Sequence, residues 1–349
     1  MAELAIGIIG LGRMGANHFN VWTRTDGAHV VATADADAAR MEQVLIGHPD
    51  VARHTDWREL LQRDDLDAVT VACPSSMHAE VTLAALDAGL HVLVEKPVAT
   101  TVEDALAVAA AAEAAGKIVS VGHVERFNPA ARKLKDLIAD GRLGKLFRIQ
   151  ATRVGPLPER ITDTGVTLDL ATHDVDLMSW VTGHQITEVS AHTGQFLHQS
   201  QEDLVQGMLT FGDDGPMGLL DVNWLTPEKR RDLVVIGERG VLRAELLTQD
   251  VFFIASHGIR VGWDALAQLR GAAEGEMIRF AIPKEEPLRA ELEAFRDAIL
   301  TGGPSPVPAI EGARALATVL ALRESALHRE PRRPITESIV SAEHAGDLS

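Results

Sequence analysis

One short stretch constrains this chain more than any other: Ala5–Ile6–Gly7–Ile8–Ile9–Gly10–Leu11–Gly12–Arg13–Met14–Gly15. An apolar strand runs into glycines spaced G-x-G-x-x-G, and a helix-like segment, Ala16 to Thr25, follows. Gly10 permits a tight turn, Gly12 lets the backbone approach a pyrophosphate, and Gly15 lets helix pack close to strand. The helix N-terminus then faces the phosphate charge. The spacing alone is weak, but the flanks here are the required ones. A second strand, Val30–Ala34, ends in Asp35, twenty residues beyond Gly15. An acid there bonds both ribose hydroxyls of NAD and repels a 2′-phosphate. NAD is therefore the expected cofactor. Arg40 is close enough in sequence to keep NADP as the less favoured one.

The alternation of strand and helix continues. Asp67 to Cys73 is a near-continuous apolar run, as a parallel sheet buried on both faces requires. It ends in Pro74–Ser75–Ser76, with Ser76 as N-cap of a helix Met77–Ala88. Thr55 is placed to cap a short helix, Asp56–Leu61. His91–Val94 leads into Glu95–Lys96–Pro97, with a cis bond one option for the proline. Thr100 and Glu103 read as a capping box for an alanine-rich helix, and Lys117–Gly122 is a further strand. This predicts an α/β fold opening with a doubly wound parallel sheet, ligands lying at the carboxyl ends of its strands. Those ends carry Gly10 to Gly15, Asp35, Pro74, Ser75, Glu95 and Lys96. Lys96 is either a surface charge or a functional group facing the cofactor crevice.

Beyond residue 122 the pattern changes. Pro129 opens a helix running to Asp140, and Phe147–Arg153 alternates as a half-buried strand. Glu159 to Gly165 reads as a loop near a site. Leu168–Trp180 reads as a helix in which Asp169 and His173 share a face, with Asp176 three residues further along it. The pair is either an acid/base couple for an alcohol proton or an ordinary helix-surface ion pair. Six strand-like runs follow between Ile186 and Ile254, giving a mostly antiparallel, open sheet whose free face suits a homodimer or homotetramer. Residues 256–285 read as a long loop, Pro287–Leu300 and Ile310–His328 as helices. The expected domains are 1–122, 123–330 and a tail, 331–349.

Composition narrows the chemistry. Lys plus Arg is 33 against 50 Asp plus Glu, a net charge of −17, which argues against nucleic acid or anionic membrane as partners. Cys73 is the single cysteine, so no internal disulfide and no cysteine-rich zinc site forms, and no metal is expected. With neither a basic leader nor a long apolar run, the cytoplasm is the expected location. Tyrosine is absent, so the acid/base group of a hydride-transfer enzyme comes from His, Lys, Asp or Glu.

Together the glycine fingerprint, Glu95–Lys96–Pro97, Arg126–Phe127–Asn128–Pro129 and Asp169-x-x-x-His173-x-x-Asp176 resemble the Gfo/Idh/MocA oxidoreductases over nearly the whole chain. The resemblance implies a Rossmann domain plus an open-sheet α/β domain. It implies that Lys96 contacts the reacting hydroxyl, that His173 is the general base, and that Asp169 supports it. It places Glu95 beside the nicotinamide ribose, and Pro74, Ser75 and His78 around the cofactor crevice with Arg13 and Met14. Gly122–Pro129 and Asn223–Arg231 further resemble the UDP-N-acetylglucosamine 3-dehydrogenase members. Substrate contacts on this reading are Lys96, Glu125, Arg126, Asn128, Arg153, Asp169, His173, Trp224 and Lys229. Lys229–Arg231 is either a diphosphate-binding cluster or a solvated strand entry, and Trp224 a surface for a base or sugar. The expected activity is NAD-dependent oxidation of a ring hydroxyl of a sugar nucleotide. The alternatives are an inositol or free-sugar dehydrogenase and a non-catalytic NAD-binding regulator.

Overall fold

The computed structural model describes residues 3–158, 164–256, 276–334 and 339. It divides into two compact units, residues 1–127 with 286–317 and 335–349, and residues 128–285 with 318–334. The parts of the expected loops and tail at 159–163, 257–275, 335–338 and 340–349 lie outside the described residues.

The first unit alternates strand and helix: β1 (Leu4–Ile9), α1 (Arg13–Trp22), β2 (Ala28–Ala34), α2 (Ala38–Val44), β3 (Ala52–His54), α3 (Trp57–Leu61), β4 (Ala68–Val71), α4 (His78–Asp87), β5 (His91–Val94), α5 (Val102–Ala115) and β6 (Val119–Val121). The sheet order is β3-β2-β1-β4-β5-β6, with every pairing parallel. Strand order reverses between β1 and β4, the switch point at which such sheets hold ligands. The edge of β6 is covered: Val121 N–H donates to Val307 O at 2.9 Å, and Ser305 Oγ donates to Val119 O at 2.7 Å.

The second unit carries α6 (Pro129–Ala139), β7 (Leu146–Pro156), α7 (Thr172–Thr182), β8 (Glu188–Gly194), β9 (Leu204–Thr210), β10 (Met217–Asn223), β11 (Leu225–Gly237), β12 (Gly240–Glu245), β13 (Asp250–Ala255) and β14 (Met277–Phe280). Its sheet runs β14-β13-β12-β11-β7-β10-β9-β8, antiparallel except where β10 meets β7. Ile149, Ala151, Leu220, Val222, Leu233, Val235, Leu242 and Ala244 fill the inner face. By register Met208, Met217 and Met277 share the opposite face, at 54%, 54% and 65% exposure.

Among the described residues α8 (Pro287–Thr301) and α9 (Ala309–His328) follow. Here the structure differs from a division into consecutive domains. Leu288, Leu292 and Phe295, one stripe of α8, are buried in the core of Leu4, Ile6, Phe19 and Trp22. Each such burial contributes about 1.5–3 kcal/mol, enough to return a distant segment to the first unit. The stripe is visible in the sequence; the core it fills is not.

Local starts also move. Thr101, not Thr100, caps α5: its Oγ1 accepts from Asp104 N at 3.1 Å and donates to Asp104 Oδ2 at 2.7 Å. Asp56 rather than Thr55 caps α3, accepting from Arg58 N. A 3-10 turn, Ser75–Met77, precedes α4, so Ser76 caps nothing. β14 falls inside the expected loop 256–285 because it completes the edge beside β13. The helix read at Leu168–Trp180 opens with a π-turn, Thr167–Ala171, before α7.

Candidate active site

In the first unit the turn after β1 is shaped by its glycines. Gly10 has φ +90°, and a Cβ there would lie 2.6 Å from Ala72 O and Cys73 N. A Cβ on Gly15 would lie 1.8 Å from Gly10 O, whereas one on Gly12 meets nothing within 4 Å. Gly10 and Gly15 therefore close the turn, and Gly12 faces open space at the start of α1. No side chain caps that helix. Unsatisfied N–H groups beside open space suit a diphosphate, so these residues fit NAD. Arg13 and Met14 are exposed beside them.

Asp35 directly follows β2 and reaches across to that turn. Its Oδ2 accepts from Leu11 N at 2.6 Å, its Oδ1 from Asp37 N at 2.8 Å, and Arg40 Nη1 approaches both oxygens at 3.3 Å. The carboxylate is thus fixed over the glycine turn and already paired with Arg40. Pro74 and Ser75 form the turn after β4, where Met77 N donates to Pro74 O at 2.8 Å.

Glu95 and Lys96 directly follow β5, and the Lys96–Pro97 peptide is cis. Glu95 is 8% exposed, with Oε1 2.8 Å from His18 Nε2 and Oε2 accepting from Lys96 N at 3.2 Å. Burial alone would raise its carboxyl, but the His18 hydrogen bond and the charges of His18, Lys96 and His78 hold it below the usual value. Sequence reasoning missed His18. Its signal is a polar residue on the buried face of α1, with Gly15, Phe19 and Trp22. Cys73 is half-buried and burial pushes its thiol to about 11, an inert residue rather than a nucleophile.

In the second unit Asp169 lies in the π-turn and His173 in the first turn of α7, both partly accessible, His173 between the buried Thr172 and Asp174. Asp176 is 4% exposed and belongs to the interior instead. Beside His173, Arg153 Nε donates to Asp174 Oδ1 and Oδ2 at 3.1 and 2.8 Å, with side chains 3% and 4% exposed. This ion pair fastens α7 to β7. Arg153→Met leaves the Asp174 carboxylate without its counter-charge, and denaturant unfolding should show a loss of about 3–5 kcal/mol.

Several expected substrate contacts have internal duties. Asn128 is 3% exposed; its Nδ2 donates to Leu246 O at 3.0 Å and its Oδ1 caps α6 through Ala130 N at 3.0 Å. Arg126, 6% exposed, pairs with Glu311, and Glu125 is buried as well. Trp224 is 2% exposed with its ring 6.3 Å from that of His198, so it presents no face to a ligand. His78 is 1% exposed, with both ring nitrogens against backbone carbonyls. Lys229 is different. The β11 register against β7 jumps between Leu225, opposite Pro156, and Arg230, opposite Val154. The intervening residues bulge from the ladder and expose Lys229. Arg230 turns back to Asp232 at 2.7 Å, which raises its basicity further.

A parallel sheet with a glycine turn at its switch point defines a dinucleotide-binding protein, here joined to an open-sheet unit that carries Asp169 and His173. The description "Oxidoreductase family, NAD-binding Rossmann fold" matches residues 4–123, and "GFO/IDH/MocA C-terminal domain" matches residues 131–243. The chain belongs to the Gfo/Idh/MocA family, and its first unit is the family's NAD-binding Rossmann domain. Inositol 2-dehydrogenase 2 of Saccharopolyspora erythraea is 35% identical over 54% of this chain and 56% of that relative. The chain thus matches little more than half of that relative's length. Inositol 2-dehydrogenase 4 of the same organism is 28% identical over 90% and 91%. Among solved structures, an oxidoreductase domain protein from Kribbella flavida superposes with TM-score 0.83 at 25% identity, covering 96% of this chain and 100% of that one. UDP-N-acetylglucosamine 3-dehydrogenase GnnA from Acidithiobacillus ferrooxidans shares the fold, with TM-score 0.81 at 24% identity over 93% and 98%.

Among the described residues no group of three or more His, Cys, Asp or Glu is placed to hold a metal ion. No described helix is long and apolar enough to cross a membrane.

Proposed function

We propose that the chain is an NAD-dependent dehydrogenase that oxidises a ring hydroxyl of a carbohydrate to a ketone. The observation that carries this reading is the carboxylate of Asp169 and the imidazole of His173 on the successive turns that open α7, both partly accessible. Bound NAD supplies the hydride acceptor, and Gly10, Gly12, Gly15 and Asp35 would hold it. His173 takes the hydroxyl proton, with the Asp169 carboxylate favouring the imidazolium that results. Lys96 contacts the same oxygen and stabilises the charge that develops on it.

For the substrate we propose a sugar nucleotide of the UDP-N-acetylglucosamine type, oxidised at C3. The support is Lys229 on its bulge, a cation offered outward on a protein of net charge −17. Arg230 and Trp224 no longer support it, because Asp232 and His198 occupy them. A second reading, an inositol or free sugar as substrate, is favoured by relatives named inositol 2-dehydrogenase. NADH absorbance with UDP-N-acetylglucosamine and with myo-inositol separates the two. Turnover of the nucleotide sugar, with KM raised about tenfold or more in Lys229→Ala, is expected. Turnover of inositol alone rejects the nucleotide, and tight NAD binding with no alcohol oxidised rejects the enzyme.

We also propose self-association through the outer sheet face that bears Met208, Met217 and Met277. Sedimentation velocity is expected to show a dimer or tetramer that Met208→Lys with Met217→Lys dissociates; an unchanged species places the contact elsewhere.

A further inference from the structure

His78 opens α4 directly after the Ser75–Met77 turn. Its buried ring lies between two backbone carbonyls, with Nδ1 2.7 Å from Pro97 O and Nε2 2.8 Å from Cys73 O. A carbonyl oxygen only accepts hydrogen bonds. A neutral imidazole has one N–H, so its bare nitrogen would then face a carbonyl lone pair at hydrogen-bond distance. Such a contact is repulsive, and burial removes the water that would screen it. Both contacts are favourable together only when both ring nitrogens carry protons.

The surroundings suit that charge. Glu95 supplies the nearby anion, its carboxyl held below the usual value by the His18 hydrogen bond and neighbouring charges. Lys96 is the cation on the same turn. The Cys73 thiol is pushed up to about 11 and contributes no charge. On α4 itself Glu80 points to Arg58 of α3, at 2.7 Å.

The two carbonyls follow the neighbouring strands β4 and β5 at the carboxyl end of the sheet. Pro97 directly follows Lys96, and Cys73 follows β4. On its other flank Lys96 donates its backbone N–H to Glu95 Oε2 at 3.2 Å. The backbone of Lys96 is thus held before and after the residue.

We propose that His78 is a doubly protonated clamp that ties the backbone after Lys96 to the end of β4, a positioning residue for Lys96 and not a contact of the cofactor. The positioning half rests on the reading of Lys96 given above; the protonation half does not.

Long-range proton–nitrogen correlation on the nitrogen-labelled full chain without NAD, at neutral pH, reads the ring directly. Assignment through the backbone needs no variant. Two protonated ring nitrogens on His78 are expected, and one protonated with one bare nitrogen overturns the clamp. His78→Gln keeps donors for one carbonyl only. It should lower kcat about tenfold or more, since small displacements of a reacting group cost that much. The NAD dissociation constant, from tryptophan quenching, should stay within about threefold. Lost NAD affinity with unchanged kcat overturns positioning and makes His78 a cofactor contact. If Lys96→Ala is silent, the Lys96 reading fails and the kcat arm falls with it, while the two-proton signature is decided independently.

Discussion

His173→Ala is expected to lower kcat by about 10²–10⁴, the usual cost of losing a positioned acid/base group. NAD affinity should be unchanged, because the residues that fit the cofactor lie in the other unit, on the turn from Gly10 to Gly15 and at Asp35. Stability should also change little, since His173 is only partly buried while Asp174 beside it carries the ion pair to Arg153. Stopped-flow NADH absorbance with either substrate class measures the first effect, and tryptophan quenching the second. Asp169→Asn tests the partnership. It should lower kcat less than His173→Ala and move the pH at which turnover rises, as expected when a carboxylate supports an imidazolium. Turnover by His173→Ala within about threefold of wild type would show that another group takes the proton.

The second large effect is expected in the glycine turn, where its position decides its kind. Gly12→Val should fold normally, because a Cβ there meets nothing within 4 Å. It fills the space that a pyrophosphate would use, and NAD affinity should fall on the order of 10–100-fold, the equivalent of one or two charge-assisted hydrogen bonds. Gly15→Val should instead fail to fold or unfold well below the wild type, because its Cβ would lie 1.8 Å from Gly10 O. Gly10→Val meets backbone at 2.6 Å with φ +90° and belongs with Gly15. Thermal unfolding of the three variants with and without NAD reads both effects at once. Equal destabilisation by all three would mean that Gly12 also serves packing alone.

Much of the first unit was legible because its signals are local. A parallel sheet buried on both faces demands continuous apolar strands, and residues 67–73 and 91–94 comply. Gly10, Asp35 and Lys96 could be placed at strand ends once the strands were counted. The caps of α3 and α5 moved by one residue, since neighbouring Thr and Asp residues compete for the same role and only the backbone's final turn selects among them. The internal duties of four expected substrate residues, Arg126 in the first unit and Asn128, Arg153 and Trp224 in the second, have no local signal. Arg126, Asn128, Arg153 and Trp224 are the polar and aromatic residues a carbohydrate site would use, and equally those that lock helices to a sheet. Sequence does not distinguish the uses, because each depends on a partner far along the chain: Glu311 for Arg126, Leu246 for Asn128, Asp174 for Arg153.

The sequence by itself determined the strand–turn–helix that fits NAD, the parallel sheet behind it, the family to which the chain belongs, and the pairing in sequence of Asp169 with His173. Each follows from residues a few positions apart, whose geometry is set by the local periodicity of strand or helix. Tertiary structure alone decided that α8 returns to the first unit, that His18 and His78 bracket Glu95 and the Lys96 turn, and that Lys229 stands clear of the sheet while Arg230 does not. Those outcomes depend on burial and on hydrogen-bond partners contributed by other elements, and no local pattern carries that information.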